Sequence, residues 1–105
     1  MSEWHVACKL AEVTEDAPYS ATVAGVPVGI FRIGDRCFAL HDVCTHEYAR
    51  LSRGYVEGGT IECPLHEAKF DIRTGRALCA PAAGDVACYA VRIDGDQVLV
   101  QLADP

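Results

Sequence analysis

The chain has 105 residues, of which half are apolar and 23% are charged, and its formal net charge is −6. This length supports one small domain with a modest core. The acidic balance argues against nucleic acid, whose phosphates are bound by Lys and Arg patches. No apolar run approaches the roughly 20 residues of a membrane span, and the amino terminus lacks the basic and then apolar pattern of a secretory signal. We therefore expect a cytoplasmic protein with neither nucleic acid nor membrane as a partner.

The first forty residues predict short strands separated by turns. Apolar and polar residues alternate near the amino terminus, which predicts a strand with Trp4, Val6 and Cys8 on one face. The Gly34-Asp35 pair predicts a two-residue hairpin, since glycine tolerates a positive φ at the first turn position. The predicted strands cover residues 4–10, 19–23, 28–33 and 36–40, with turns at residues 12–18 and 24–27.

The rest of the chain continues this pattern, with no amphipathic helical window. Residues 47–53 are predicted to be irregular or one helical turn at most, and residues 81–85 to be a loop. A turn at Asp94-Gly95 is predicted to join the last two strands, with Val98, Val100 and Leu102 on one face. Strands are predicted at residues 55–62 with a break at Gly58-Gly59, at 68–72 and 76–78 around Thr74-Gly75, and at 89–93 and 97–102. We predict an all-β, antiparallel fold of stacked sheets.

Two short motifs carry potential metal ligands. Cys44 and His46 form a Cys-x-His pair, and after a gap of sixteen residues Cys63 and His66 form a Cys-x-x-His pair. Each pair offers one thiolate and one imidazole close enough to turn toward a single point. Two sulfur and two nitrogen ligands suit a tetrahedral zinc ion, and they equally suit a two-iron cluster in which two His replace two Cys on one iron. Spacing alone leaves both possibilities open.

The residues around these motifs carry a family resemblance. The chain resembles the Rieske-type [2Fe–2S] ferredoxins, and in particular the ferredoxin components of bacterial aromatic ring-hydroxylating dioxygenase systems. This resemblance implies Rieske-type antiparallel sheets in one domain, residues 1–105, with a cluster-binding portion of about residues 41–83 inserted in a base of flanking strands. It rests on Ala39-Leu40, Leu51, Gly54, Ile61-Glu62, His66 with Phe70-Asp71, Thr74-Gly75 and Tyr89 to Ile93.

The resemblance also implies a cofactor and a function. It implies one Rieske-type [2Fe–2S] cluster per chain, with Cys44 and Cys63 on the inner iron and His46 and His66 on the outer iron. The expected function is transfer of single electrons from a flavoprotein reductase to a terminal oxygenase, by a monomer that is not itself an enzyme because it has no second site for a substrate. Two alternatives remain: a small Rieske subunit of a nitrite reductase-like assembly, and a Cys₂His₂ zinc structural module.

Departures from the family pattern indicate which class of Rieske protein the chain resembles. High-potential relatives pair two extra cysteines across the ligand loops, whereas this chain has Ala49 and Leu65 there. Ala68 replaces a serine whose hydroxyl donates to the cluster in those relatives, and Glu47 adds negative charge beside a ligand. These features imply a low potential for a Rieske centre. Pro64 is expected to stiffen the second motif, and Pro81 matches the proline of a loop that covers the cluster in the family.

The other cysteines, histidines and acidic residues have separate predictions. His41 is expected to be a polar residue at a strand end, and His5 carries no signal. Glu47 and Glu67, each next to a ligand His, are predicted to form an acidic docking rim, with Leu65 as an apolar alternative. We expect small buried hydrophobes rather than disulfides at Cys8, Cys37, Cys79 and Cys88.

Overall fold

The fold of the chain is known from a computed structural model, which describes residues 3–43, 50–64, 68–78 and 84–102. Within these ranges the chain is built of antiparallel strands and two single-turn 3-10 helices, Leu10–Glu12 and Leu51–Arg53. The predicted all-β, antiparallel fold is confirmed. The strands are β1 (Trp4–Lys9), β2 (Tyr19–Val23), β3 (Val26–Ile33), β4 (Arg36–His41), β5 (Tyr55–Glu57), β6 (Thr60–Glu62), β7 (Lys69–Asp71), β8 (Cys88–Asp94) and β9 (Gln97–Gln101).

A larger sheet contains six of these strands in the order β1-β9-β8-β4-β3-β2. Its longest strand, β3, buries the apolar run that predicted it, because Val28, Ile30 and Phe31 are almost completely inaccessible to solvent. The predicted hairpin between β3 and β4 is present, with Gly34 at a φ of +62°. Ile30 pairs with Ala39 across this hairpin, so both strands contribute to the same buried layer.

A smaller sheet, β5-β6-β7, lies between β4 and β8 along the chain. The predicted break at Gly58-Gly59 forms the turn between β5 and β6, where Gly58 has a φ of +61°. The buried side chains of this sheet and of the segments around it form one cluster with Phe31 and Leu40 of the larger sheet: Leu51, Ile61, Cys63, Ala68, Phe70, Ile72 and Val86. The two sheets therefore share an apolar core, which fixes the smaller sheet against the larger one.

The structure corrects two details at the carboxy-terminal end of the sequence predictions. The turn between β8 and β9 lies at Gly95-Asp96, one residue later than predicted, because β8 continues through Asp94 and pairs it with Gln97. Gly95 takes the positive φ of +62° at the first turn position. Cys88 is exposed rather than buried. The prediction for this cysteine was wrong because alternation along β8 points its side chain away from the core.

Two further corrections concern the first three strands. Val6 is 54% exposed while Cys8 is buried, so the prediction that they share one face was wrong. A register shift between them, opposite β9, breaks the alternation of β1, as a β-bulge does. The predicted turn at residues 24–27 is shorter, since β3 already begins at Val26. Pro27 is accommodated close to the start of that strand, where a missing N–H is tolerated.

Helices are short throughout the part of the chain that the structure describes. None of them has the length and apolar character needed to cross a membrane. The buried groups instead belong to the strands, the 3-10 helices and the loops between them.

Candidate metal centre

The structure describes one of the four predicted ligands, Cys63. This residue directly follows β6 and is 0% exposed. Cys44, His46 and His66 lie outside the described residues, as do Glu47, Ala49, Leu65 and Glu67. The geometry of the site is therefore visible in Cys63 and in the residues that begin and end the two ligand loops, residues 44–49 and 64–67.

The ends of the first ligand loop are joined. Val43 and Arg50, the residues on either side of it, form an antiparallel β-bridge. The N–H of Leu51 also donates to the carbonyl of Asp42 at 2.8 Å. The residues on either side of the segment that contains Cys44 and His46 are thus fixed to each other.

The second ligand loop is closed in a similar way. The N–H of Cys63 donates to the carbonyl of Ala68 at 2.7 Å, and Ala68 is itself 0% exposed. Pro64 follows Cys63 and has a fixed φ, which stiffens the start of the loop. Because this hydrogen bond starts at the main chain of Cys63 itself, it positions this predicted ligand within the core.

The bases of the two loops lie against each other. Gly54 follows the first loop, and a Cβ built on it would lie 2.0 Å from the carbonyl oxygen of Glu62, the residue before Cys63. Only glycine permits such a close approach of two main chains. Leu51, Cys63 and Ala68 also belong to one buried apolar cluster. Residues that flank both predicted ligand motifs therefore lie together in one buried apolar cluster.

The residues on either side of residues 79–83 lie beside this cluster. The N–H of Ala77 donates to Oδ1 of Asp85 at 2.8 Å, and the N–H of Val86 donates to the carbonyl of Gly75 at 2.9 Å. A Cβ on Gly75, which has a φ of +77°, would lie 2.3 Å from the carbonyl oxygen of Val86. These contacts fix the residues that flank the segment containing Pro81, and Pro81 itself lies outside the described residues.

Sequence analysis missed one residue of the site, Asp42. Its side chain is 0% exposed although it is charged, and it lies two residues before Cys44. Its Oδ1 accepts the N–H of Ser52 at 2.7 Å, and its Oδ2 accepts the hydroxyl of Ser52 at 2.7 Å. The sequence did contain one signal for it: an acidic residue directly after a buried strand and two residues before a predicted ligand. Its partners are distant along the chain, so no local pattern indicated them.

His41 behaves as a strand-end residue, as predicted. It is the last residue of β4 and half-buried, and its Nδ1 lies 3.4 Å from the hydroxyl of Tyr89. Burial raises the pKa of Tyr89 above its usual value, so the phenol stays protonated at neutral pH. Within residues 3–43, 50–64, 68–78 and 84–102, no group of three or more His, Cys, Asp or Glu side chains is placed to hold a metal ion.

Comparison with known proteins identifies the family. The model of the Rieske [2Fe–2S] domain matches residues 3–90. The chain belongs to the Rieske [2Fe–2S] family. Its cofactor is accordingly a Rieske-type cluster, and the zinc alternative is superseded. The residues present fit this group, because two thiols and two imidazoles are the ligand set of such a cluster and the buried Cys63 lies where two closed loops meet.

Similar proteins within the family have nearly the same length as this Rieske chain. It is 48% identical over 97% of its length to the anthranilate 1,2-dioxygenase ferredoxin subunit of Burkholderia cepacia, of which it covers 94%. The ferredoxin of carbazole 1,9a-dioxygenase from Nocardioides aromaticivorans IC177 superposes with a TM-score of 0.87 at 33% identity, over 92% of this chain and 95% of that one. One chain in a complex of reduced oxygenase and oxidized ferredoxin in carbazole 1,9a-dioxygenase superposes with a TM-score of 0.86 at 29% identity, over 93% and 92% of the two chains.

Proposed function

We propose that this Rieske ferredoxin carries single electrons from a flavin-dependent reductase to the terminal oxygenase of an aromatic ring-hydroxylating dioxygenase system. The observation that carries this proposal is the 48% identity, along nearly the whole of both chains, to the ferredoxin subunit of anthranilate 1,2-dioxygenase. The structural match to a chain from an oxygenase–ferredoxin complex supports an oxygenase as the acceptor. We place the protein in the cytoplasm as a monomer, and gel filtration at the size of one chain tests the oligomeric state.

The proposed ligands are Cys44 and Cys63 on the inner iron and His46 and His66 on the outer iron. When bound, the cluster supplies a one-electron couple whose oxidised and reduced forms both carry little net charge, because two ligands are neutral imidazoles. The burial of Cys63 and the closure of the two loops support this assignment. We also propose that residues 1–105 form one domain in which residues 41–83 are the cluster-binding portion, an organisation that the position of the β5-β6-β7 sheet supports.

The acidity of the chain suggests how it meets its partners. A net charge of −6 favours encounter with a basic surface while leaving the complex weak enough to dissociate. Glu47 and Glu67, next to the proposed ligands His46 and His66, are our candidates for the docking rim. Electron transfer should therefore slow as the Debye length falls to about 8 Å near physiological ionic strength. Rates that do not respond to salt or to charge reversal at these residues would favour apolar docking, with Leu65 the residue to test.

Reconstitution tests the function directly. The reduced protein is mixed with the purified oxygenase component of an aromatic ring-hydroxylating dioxygenase, and reoxidation of the ferredoxin and formation of hydroxylated product are followed. We expect reoxidation and product formation with the wild-type chain and with the control Cys88→Ser, which changes an exposed thiol. We expect neither signal with Cys63→Ser. A reduced protein that passes electrons to a nitrite reductase but to no ring-hydroxylating oxygenase would contradict the proposal.

A further inference from the structure

Asp42 lies at the centre of a buried polar network beneath the first ligand loop. Besides the two hydrogen bonds from Ser52, its Oδ2 accepts the hydroxyl of Ser20 at 3.0 Å and forms an ion pair with Nη1 of Arg50 at 3.5 Å. Nη1 of Arg50 also donates to the hydroxyl of Ser20 at 3.3 Å. A fully buried carboxylate is tolerated only when it is paired and hydrogen-bonded in this way.

The partners of Asp42 connect both sides of the ligand loop. Asp42 precedes residues 44–49, whereas Arg50 and Ser52 follow them. Ser20 belongs to β2, which lies two strands away from β4 in the larger sheet. The main chain of Asp42 adds two more bonds, donating to the carbonyl of Pro27 at 3.0 Å and accepting from Leu51 at 2.8 Å. One residue thus ties the start of the loop, its end and the larger sheet together.

The neighbouring strand β3 leaves room for this carboxylate. A Cβ built on Gly29 would lie 2.7 Å from Oδ1 of Asp42, closer than a carbon and an oxygen approach each other. Gly29 lies in β3, paired with Ser20 on one side and Leu40 on the other. The absence of a side chain at position 29 therefore creates the space that the Asp42 carboxylate occupies.

We propose that Asp42 is a positioning residue for the cluster: through Arg50 and Ser52 it holds both ends of the loop that carries Cys44 and His46. This inference rests on the proposed ligand set. Asp42 contacts the hydrogen-bonded loop ends rather than the metal, and it fixes the separation and direction of the main chain from which the two ligands project. Residues that orient metal ligands affect both how long a metal is retained and its electronic state.

The test compares Asp42→Asn with the wild type, each carrying its cluster. Asparagine keeps the shape and can still accept the N–H of Ser52, but it cannot pair with Arg50. We expect release of iron to a chelator to accelerate about 10- to 100-fold, and the electron paramagnetic resonance spectrum of the reduced cluster to shift its g values. The spectrum is recorded on the folded, loaded protein, so loss of global stability alone would leave it unchanged.

Val98→Ala is the matched control for global stability. It opens a cavity in the core of the larger sheet, where Val98 is 0% exposed and pairs with Cys8 and Ile93 rather than with a residue of the Asp42 network. If Asp42→Asn and Val98→Ala release iron equally fast at equal loss of stability, and both retain the wild-type spectrum, Asp42 is only a core residue and the proposal is overturned.

Ser52 provides a second variant if Asp42→Asn does not fold. Ser52→Ala removes one hydrogen bond to Oδ2 and should accelerate iron release, whereas Ser52→Thr retains the hydroxyl and should restore the wild-type rate. Wild-type release from both variants would overturn the proposal. A wild-type protein that binds no iron would instead contradict the ligand assignment, so the two failures are distinguishable.

Discussion

At the scale of one residue, Cys63 is the proposed ligand whose surroundings the structure describes. Its side chain lies in an apolar core at 0% exposure. Ligation needs the thiolate, and a bound metal supplies the positive charge that stabilises a thiolate in such surroundings. The burial supports the proposed role of Cys63 as a cluster ligand, whereas a reactive cysteine would need access to solvent.

Cys63→Ser should abolish cluster binding. A serine hydroxyl is a poor substitute for a thiolate, so we expect absorbance of the cluster to be lost and the free energy of unfolding to fall, because metal binding contributes to folding. Cys88→Ser is the control, since Cys88 is exposed and its Sγ donates a hydrogen bond to the carbonyl of Arg73 at 3.4 Å. Equal iron content in the two variants would show that Cys63 is not a ligand.

Replacing a proposed histidine ligand should lower the reduction potential. In His46→Cys or His66→Cys an anionic ligand replaces a neutral one. The reduction potential of the cluster should therefore move toward that of all-cysteine ferredoxins, about −400 mV. Before substitution we expect a value toward the lower end of the about −150 to +300 mV range of Rieske centres, given Ala49, Leu65 and Ala68. Voltammetry checks both values. A variant that binds a cluster at unchanged potential would contradict the assignment.

At the residue scale, the sequence indicated local chemistry but not the contacts between residues that are distant along the chain. The Cys and His pairs are adjacent in sequence, so their spacing indicated a metal site without knowledge of the fold. Asp42 was missed because its partners at positions 20, 50 and 52 meet it only after the sheets have formed. Cys88 was misassigned because apolar sequence neighbours do not reveal which face of a strand points outward.

At the scale of elements, the close contact between Gly54 and β6 holds the two ligand loops together. The carbonyl of Glu62 occupies the space in which a side chain at position 54 would lie. The hairpins were predictable because their glycine-containing turns are local signals. The bulge in β1 was not, because it depends on pairing with β9, a strand almost a hundred residues away in sequence.

Gly54→Ala should therefore weaken both the fold and the cluster site. The new methyl group must displace main chain, because the atom it meets is a backbone oxygen, and we expect the free energy of unfolding to fall by about 1–3 kcal/mol with faster loss of iron. Gly84→Ala is the matched control, since no atom lies within 4 Å of its added Cβ. Denaturant titration followed by absorbance of the cluster measures both effects. Equal stability of the two variants would contradict the close approach of Gly54 to the carbonyl of Glu62.

At the scale of the molecule, the buried side chains form two separate cores. The larger sheet has its own core, which contains Cys8 and Cys37, while the smaller sheet shares a second core with Phe31 and Leu40. Burial, with a smaller contribution from nearby Glu12, raises the pKa of Cys8 from 9.0 to about 11. The core of the larger sheet thus contains a thiol that is neutral when folded and takes no part in the proposed site.

This buried thiol predicts a loss of stability at high pH. Between pH 9 and 11 the unfolded chain releases the Cys8 proton while the folded chain retains it, so the free energy of unfolding falls as pH rises. The total effect is roughly 2–3 kcal/mol once pH exceeds the folded pKa. Cys8→Ala has no thiol to ionise at this position. Its free energy of unfolding should therefore rise relative to that of the wild type between pH 9 and 11. A stability difference that is independent of pH would show that Cys8 is not protonated more tightly in the folded state.

The central claim is that the two ligand loops hold one Rieske [2Fe–2S] cluster, and chemical analysis tests it most directly. Iron, acid-labile sulfide and zinc are measured in protein purified without oxygen, together with the electron paramagnetic resonance spectrum after reduction by one electron. The account predicts two irons and two sulfides per chain, a red-brown protein, and loss of all of these signals in Cys63→Ser. Stoichiometric zinc with no iron or sulfide in the wild-type protein would contradict it.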